Sequence, residues 1–364
     1  MKTPRTHRAP LTLLAVILSF SLILTALLAS APPAAAGTFS FSTGDPDGLI
    51  GTLSRVPAAG QIQTETADDF ILTEPTLITQ ATFTGLLPSG APVSSITNVE
   101  VEVYRVFPND SANPPSGNVP TRDNSPADKE VDSATRDSSN GSLTFDPVLV
   151  NSSFAVGNSV VNGINKSPNQ LTGGEGPVTG AEVTITVTFN PPILLPADHY
   201  FFRPEVFSTS GDFLWLSAGT PVAPDLQSWI RNDNLAPDWL RIGTDITGQG
   251  PFNASFSLSG ETDADADGVP DSLDQCADTP ADAVVNANGC SIDQLVPCEG
   301  PISGGTWKNH GQYVSAVAHV SKTFRRQGLI SGRERGHIVS TAARSDSGKK
   351  AKGPHGHGHG HGHH

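Results

Sequence analysis

Five aspartates occupy the twelve positions from 263 to 274, at Asp263, Asp265, Asp267, Asp271 and Asp274. Like charges at that density repel, so their spacing needs a cause. Counted from Asp263, the carboxylates take the first, third, fifth, ninth and twelfth places, with Gly268 sixth for a sharp turn and the Val269 carbonyl seventh. This is the register of an oxygen-lined calcium loop, whose odd-numbered side chains converge because the chain wraps around one point. Asp274 stands where a longer glutamate is usual. The competing reading is a solvated acidic linker, but a linker has no reason to put the glycine and every oxygen ligand in register. Magnesium is disfavoured because it demands tight octahedral geometry. Structural Ca²⁺ is therefore the expected cofactor, with the loop ordered only when filled and an affinity of about 10⁻⁴ to 10⁻³ M, as in exported modules. A second candidate ion site is the tail GPHGHGHGHGHH, where His355, His357, His359, His361, His363 and His364 are spaced to share Zn²⁺, Ni²⁺ or Cu²⁺. An engineered tag or an inert tail is the alternative.

Other chemistry is sparse. No G-x-S-x-G, H-E-x-x-H or C-x-x-C pattern occurs. His199 is the single histidine between residues 37 and 260 and reads as a packed or edge residue without an oriented partner. Asp68 and Asp69 are a weak glycosidase pair, since neighbours on a strand face opposite sides, and a turn or strand cap is the expected role. Trp215, Trp229 and Trp239 are either an aromatic platform for sugar rings or, as expected for such large side chains, core.

The segment DADGVPDSLDQCADTPADAVVNANGC resembles the bacterial form of the thrombospondin type 3 repeat, a short calcium-wrapped spacer with little core of its own. The resemblance covers about Asp263 to Asp293 and departs at Ala277, where relatives often have proline. It implies a disulfide between Cys276 and Cys290. Asp278, Asp282, Asn286 and Asn288 offer further oxygens at a spacing that fits no defined loop. Downstream, GGTWKNHGQYVSAVAHVSKTF is similar to a small helical module that often follows such repeats, with Ala316 where a cysteine is common, which leaves Cys298 without that partner. The N-terminal part resembles exported bacterial sandwich domains more loosely, through ADDF at Ala67 to Phe70, DWLRIGTDI and FNASFSLSG.

The elements that must carry these groups follow from hydrophobic period. Residues 1–36 read as a signal peptide: Lys2, Arg5 and Arg8, then an apolar run, then Ala34 and Ala36 at an A-x-A cleavage pattern. No second apolar run of membrane length follows, so no transmembrane segment is expected after cleavage. Residues 37–260 alternate with period two, as in AEVTITVTFN, with Val183, Ile185, Val187 and Phe189 on one face, and NVEVEVYRVF, with Val99, Val101 and Val103 inward. The expected class is mainly β, a β-sandwich or jelly roll. Pro108 to Ser142 has almost nothing apolar to bury and reads as a long surface loop. Residues 261–297 form the calcium-binding spacer, residues 298–350 a basic α-helical hairpin, and residues 351–364 a disordered Gly/His-rich tail. In the hairpin, Tyr313, Val317, Val320 and Phe324 make one apolar stripe up to Gly328, and Ser331 with Glu334 make a capping box for a second helix.

The formal net charge is −14, which argues against nucleic acid as a partner. Trp307 to Lys352 runs the other way, with ten Lys or Arg against two acids. That bipolarity fits a basic segment touching an anionic envelope surface, solubility being the competing explanation. The combined expectation is a non-catalytic, calcium-binding protein that is secreted, on the cell surface or in the periplasm. Its sandwich would serve as a binding or adhesion module for an extracellular or envelope component such as carbohydrate. The alternatives are a calcium-dependent polysaccharide hydrolase or lyase, which needs clustered carboxylates or a tyrosine in a cleft, and a transition-metal-binding protein working through the tail.

Overall fold

The computed structural model describes residues 37–57, 60–113, 117–164, 171–219, 222–223 and 226–349. Its strands, in chain order, are β1 (Thr38–Ser42), β2 (Ile50–Leu53), β3 (Thr64–Ile71), β4 (Thr76–Pro88), β5 (Ile96–Val106), β6 (Pro126–Glu130), β7 (Arg136–Asp137), β8 (Leu143–Val156), β9 (Asn158–Val160), β10 (Val178–Leu195), β11 (His199–Ser208), β12 (Leu214–Leu216), β13 (Trp229–Asn232), β14 (Leu240–Arg241) and β15 (Phe256–Thr262). They form two sheets. The first runs β1-β15-β4-β12-β2-β9, with β10 paired to β4 and β8 paired to β10; the second runs β14-β13-β3-β11-β5-β6, with β7 also on β5.

The alternation in the sequence sets which side of each strand is apolar, and the core between the sheets is where those sides meet. Val183, Ile185, Val187 and Phe189 of β10 face Val99, Val101 and Val103 of β5 in one buried cluster. Trp215 sits among the rings of Phe83, Phe202 and Phe256. All three tryptophans of this region are fully buried, so packing holds them and the aromatic platform is excluded. On its other side the first sheet presents hydroxyls in register: Thr184 opposite Thr84 and Thr186 opposite Thr82, Ser257 opposite Thr82, Ser42 opposite Ser257, and Thr144 opposite Thr188.

One expectation changes. Pro108 to Ser142 is not one long loop: it contributes β6 and β7 and buries Arg122, Ser125, Ala127 and Arg136. Polarity misleads here because the buried charges are paired. Arg122 bridges Asp128 at 3.1 Å and Asp238 at 3.0 Å, while Arg136 donates to the carbonyls of Ser133, Thr135, Pro191 and Pro192. Residues 37–260 also contain short helical turns, of 3-10 type at Val93–Ser95, Asp132–Ala134 and Ser138–Asn140 and a π-helical one at Ile242–Thr247, the last entered through the Arg241–Asp245 ion pair at 2.7 Å.

Beyond the sheets come a one-turn helix α1 (Ile292–Leu295), then α2 (His310–Arg326) and α3 (Gly332–Arg344). Tyr313, Val317 and Phe324 are the buried face of α2, packing toward Ala342 and Ile330. The capping box of α3 is formed, with Ser331 and Glu334 each satisfying the other's backbone N–H. Ser331→Ala is expected to cost about 1 kcal/mol of hairpin stability, read as lost helix signal on thermal melting; an unchanged melt would remove the cap from the account. No helix among the described residues is long and apolar enough to cross a membrane.

Candidate metal centre

The acidic segment leaves β15 and turns back on itself at once. Asp263 donates its N–H to the Pro75 carbonyl and Asp271 donates its N–H to the Thr262 carbonyl, which pins the loop to the end of the sandwich. Left-handed backbone at Ala266 (φ 58°) and Gly268 (φ 93°) makes the tight wrap, and glycine takes that conformation without strain. As a result Asp263, Asp265 and Asp267 each bring one carboxylate oxygen within 4.8 Å of the others.

Their bonding is incomplete in a telling way. Asp263 accepts from the N–H groups of Gly268 at 2.9 Å and Asp267 at 3.3 Å, and Asp265 accepts from Thr279 N–H at 2.7 Å. Oδ1 of Asp267 accepts from Val269 N–H at 2.9 Å, whereas its Oδ2 is buried with no hydrogen-bond partner. A buried carboxylate oxygen without a donor is costly unless a cation takes that place. Burial, with repulsion from Asp267 and Asp265 added, pushes the Asp263 carboxyl up to about 6 against the N–H bonds it accepts. Asp267 is raised by burial and by the charges of Asp265 and Asp274. Three carboxylates converging, with Asp263 and Asp267 raised and one oxygen of Asp267 orphaned, suit a hard dication with oxygen ligands.

The remaining sequence candidates have other bonds. Asp271 accepts from Ala264 N–H at 2.8 Å and Thr262 Oγ1 at 2.5 Å, locking the loop closed. Asp274 accepts from Cys276 N–H at 2.8 Å. A Cβ on Gly289 would lie 2.0 Å from Asp274 Oδ1 and 3.2 Å from Asp267 Oδ2, so only glycine lets these two acids approach each other there. Val269 gives its N–H to Asp267; its carbonyl role rests on loop spacing. The Cys276–Cys290 disulfide is formed and closes this wrap. Thr279 Oγ1 donates inside it, reaching the Gly289 carbonyl at 2.9 Å. Cys298 is a free, exposed thiol 3.6 Å from the Tyr313 hydroxyl. The leader at 1–36 and all six tail histidines lie outside the described residues.

Asp68 and Asp69 are neither a turn nor a strand cap: they sit inside β3 and are fully buried. Strand alternation sends them to opposite sides. Asp68 accepts from Ser228 Oγ, from Asn253 Nδ2 at 2.6 Å and from Ala254 N–H, and burial beside Asp69 holds its carboxyl well above the usual range. Asp69 meets Nε2 of His199 at 2.9 Å, and burial lifts it to about 6 in spite of that histidine. His199 therefore has an oriented partner after all.

A second charged set was missed in the sequence. Fully buried Arg203 of β11 is ringed by Glu205 at 2.6 Å, Glu65 at 2.9 Å, Glu102 at 3.3 Å and Glu100 at 3.5 Å. Tyr104 donates to Glu102 at 2.6 Å, and Arg231 pairs with Glu65 and lies 4.3 Å over the Trp239 ring. The signal was present in VEVEVY, whose alternation puts Glu100, Glu102 and Tyr104 on the side away from the core. The partners come from β3, β11 and β13, which only pairing brings together. With the side chains of Arg203 at 0% and Glu205 at 1% exposure, the set is an ion network packed against the sheet; Glu100 and Glu102 form its wetter edge. Compared with the models of known protein families and with curated proteins, the sequence matches none of either.

Proposed function

We propose that the protein is a non-catalytic, calcium-binding protein of the cell exterior, in which the sandwich is a binding module and residues 261–297 are a calcium-rigidified spacer. The observation that carries this reading is the Asp263, Asp265 and Asp267 group with its unpartnered, buried Asp267 oxygen. On the loop register, Val269, Asp271 and Asp274 complete the ligand set once the ion draws the last two from their present bonds. When bound, Ca²⁺ supplies the positive charge that the loop lacks. The chain itself provides the turn at Gly268, the clearance at Gly289 and the covalent closure at Cys276 and Cys290.

Carbohydrate as the class of ligand is supported by the outer side of the first sheet. Its central ranks are hydroxyls, with Thr84 and Thr184 3.0 Å apart and Thr82 and Thr186 3.3 Å apart. In a chain of net charge −14, a hydroxyl-lined side favours an uncharged polar partner.

Calorimetric titration and thermal melting of the chain from residue 37 onward test the calcium reading. Ca²⁺ at about ten times its dissociation constant should stabilise the loop by about 1.4 kcal/mol, and Asp265→Asn with Asp267→Asn should abolish the heat. Neither heat nor stabilisation at millimolar Ca²⁺ would overturn it. A second reading, a polysaccharide hydrolase or lyase, is favoured by one observation, the Glu100 and Glu102 edge of the Arg203 network, with buried Tyr104 donating to Glu102. Binding to a glycan array followed by a turnover assay on each hit separates the two: capture without cleavage supports the module, and product release supports the enzyme.

A further inference from the structure

The turn between α2 and α3 gathers cations that no carboxylate among the described residues neutralises. Lys322 near the end of α2, Arg325 and Arg326 on its last turn and Arg333 on the first turn of α3 are all exposed. Among the described residues, none of the four has a carboxylate at ion-pair distance, although the chain holds 36 acids. Among the described residues of the hairpin the ion pair present is Lys349–Asp346, at 2.9 Å. Glu334, the nearest acid in sequence, is engaged by Ser331 and is held below its usual range by those hydrogen bonds. The two helix ends adjoin: a Cβ on Gly332 would lie 3.4 Å from the Arg325 guanidinium carbon. At the apex of the turn Leu329 is 38% exposed.

Helix electrostatics account for part of this arrangement only. Cations on the last turn of α2 complement its dipole. Arg333 does the reverse, standing at the positive end of α3, so a cation is added where the fold gains nothing from it. Like charges grouped in this way, left unpaired beside a strongly acidic body, call for an external anion. The exposed leucine in their midst decides between anions. A soluble polyanion gains nothing from it, whereas a bilayer takes cations at its headgroup phosphates and apolar side chains just below them.

We propose that the tip of the α2–α3 hairpin docks on an anionic phospholipid surface, with Lys322, Arg325, Arg326 and Arg333 on the headgroups and Leu329 entering the acyl boundary. This goes beyond the binding reading of the sandwich and does not depend on it. The test is cosedimentation of the chain from residue 37 onward, free of the apolar leader, with phosphatidylglycerol-containing vesicles and with pure phosphatidylcholine vesicles. Binding to the first alone, falling steeply as salt is raised, is the expected result. Each cation near such a leaflet is worth about a fivefold change in affinity, so Arg325→Ala, Arg326→Ala and Arg333→Ala together should weaken binding about a hundredfold. Because these side chains are exposed, the melting temperature of the triple variant should match the parent, which separates lost contact from lost fold. Leu329→Ser, which removes the apolar side chain without adding charge, should weaken vesicle binding and leave binding to heparin unchanged. Equal capture by both vesicle types, full binding by the triple variant, or vesicle binding indifferent to Leu329→Ser would each overturn the proposal, the last in favour of a soluble polyanion.

Discussion

Arg203→Ala should destabilise the sandwich by roughly 3–5 kcal/mol, because it leaves buried carboxylates without their cation. The side chain is fully buried and pairs with Glu65, Glu205, Glu102 and Glu100 from three strands of the second sheet. Arg203 and Arg231 are the two cations facing four glutamates, so the network carries surplus negative charge. The proton load follows from that surplus. Burial pushes Glu205 up to about 8 against the pull of Arg203. Burial and a carboxyl hydrogen bond shared with Glu102 push Glu100 up to about 7. Glu65 goes the other way: burial would raise it, but Arg203 and Arg231 together hold it low.

The sign of the pH dependence is then set. Glu100 and Glu205 bind protons more tightly in the folded chain than in the unfolded one, where the ordinary value is 4.5. Their contribution to stability is present in full near pH 4.5 and is lost as pH rises through about 7 and about 8. Denaturant midpoints should therefore fall from pH 5.5 to pH 8.5, and Glu205→Gln, which keeps the shape and removes one charge, should flatten that slope. A loss below about 1 kcal/mol for Arg203→Ala, or a midpoint rising with pH in a manner unaffected by Glu205→Gln, would show that the network is not what holds this sheet.

The spacer should yield as sharply when both of its closures are removed. Cys276→Ser with Cys290→Ser opens a loop of about 15 residues, worth about 3 kcal/mol in chain entropy, and on the proposed calcium reading chelation removes about 1.4 kcal/mol at tenfold saturation. Together these come to about 4 kcal/mol, or roughly a thousandfold more frequent opening. Little apolar packing opposes it, since Cys290, Ile292 and Val296 are the buried apolar side chains between residues 263 and 298. Limited proteolysis reads the result directly: cleavage within residues 263–290 should accelerate by about that factor, while β4, β5 and β10 stay protected. Acceleration of less than tenfold would mean that neither the ion nor the cystine holds the segment.

How much of this was legible in the chain varies with the range of the interaction. The strands at AEVTITVTFN and NVEVEVYRVF, the stripe at Tyr313, Val317 and Phe324, and the capping box at Ser331 and Glu334 are local patterns, and the fold keeps each of them. The convergence of Asp263, Asp265 and Asp267 is local too, because the tight wrap at Ala266 and Gly268 lies within the same few residues. Polar residues were misjudged wherever their partners lie far along the chain. Asp69 meets a histidine 130 positions away, and Arg122 meets Asp238 across 116. A polar stretch such as Pro108 to Ser142 therefore looked exposed when it was paired and buried.

The amino-acid sequence by itself determined the periods of the strands and helices, the wrap of the acidic loop and the separation of negative body from positive hairpin, since each depends on neighbours within about a dozen residues. Tertiary structure alone decided which charges are buried together, and that Lys322, Arg325, Arg326 and Arg333 gather at one tip without a carboxylate partner among the described residues; it also settled Trp215, Trp229 and Trp239 in the interior the sequence expected. Burial and ion pairing are properties of surfaces brought into contact, and strand order is what brings them there.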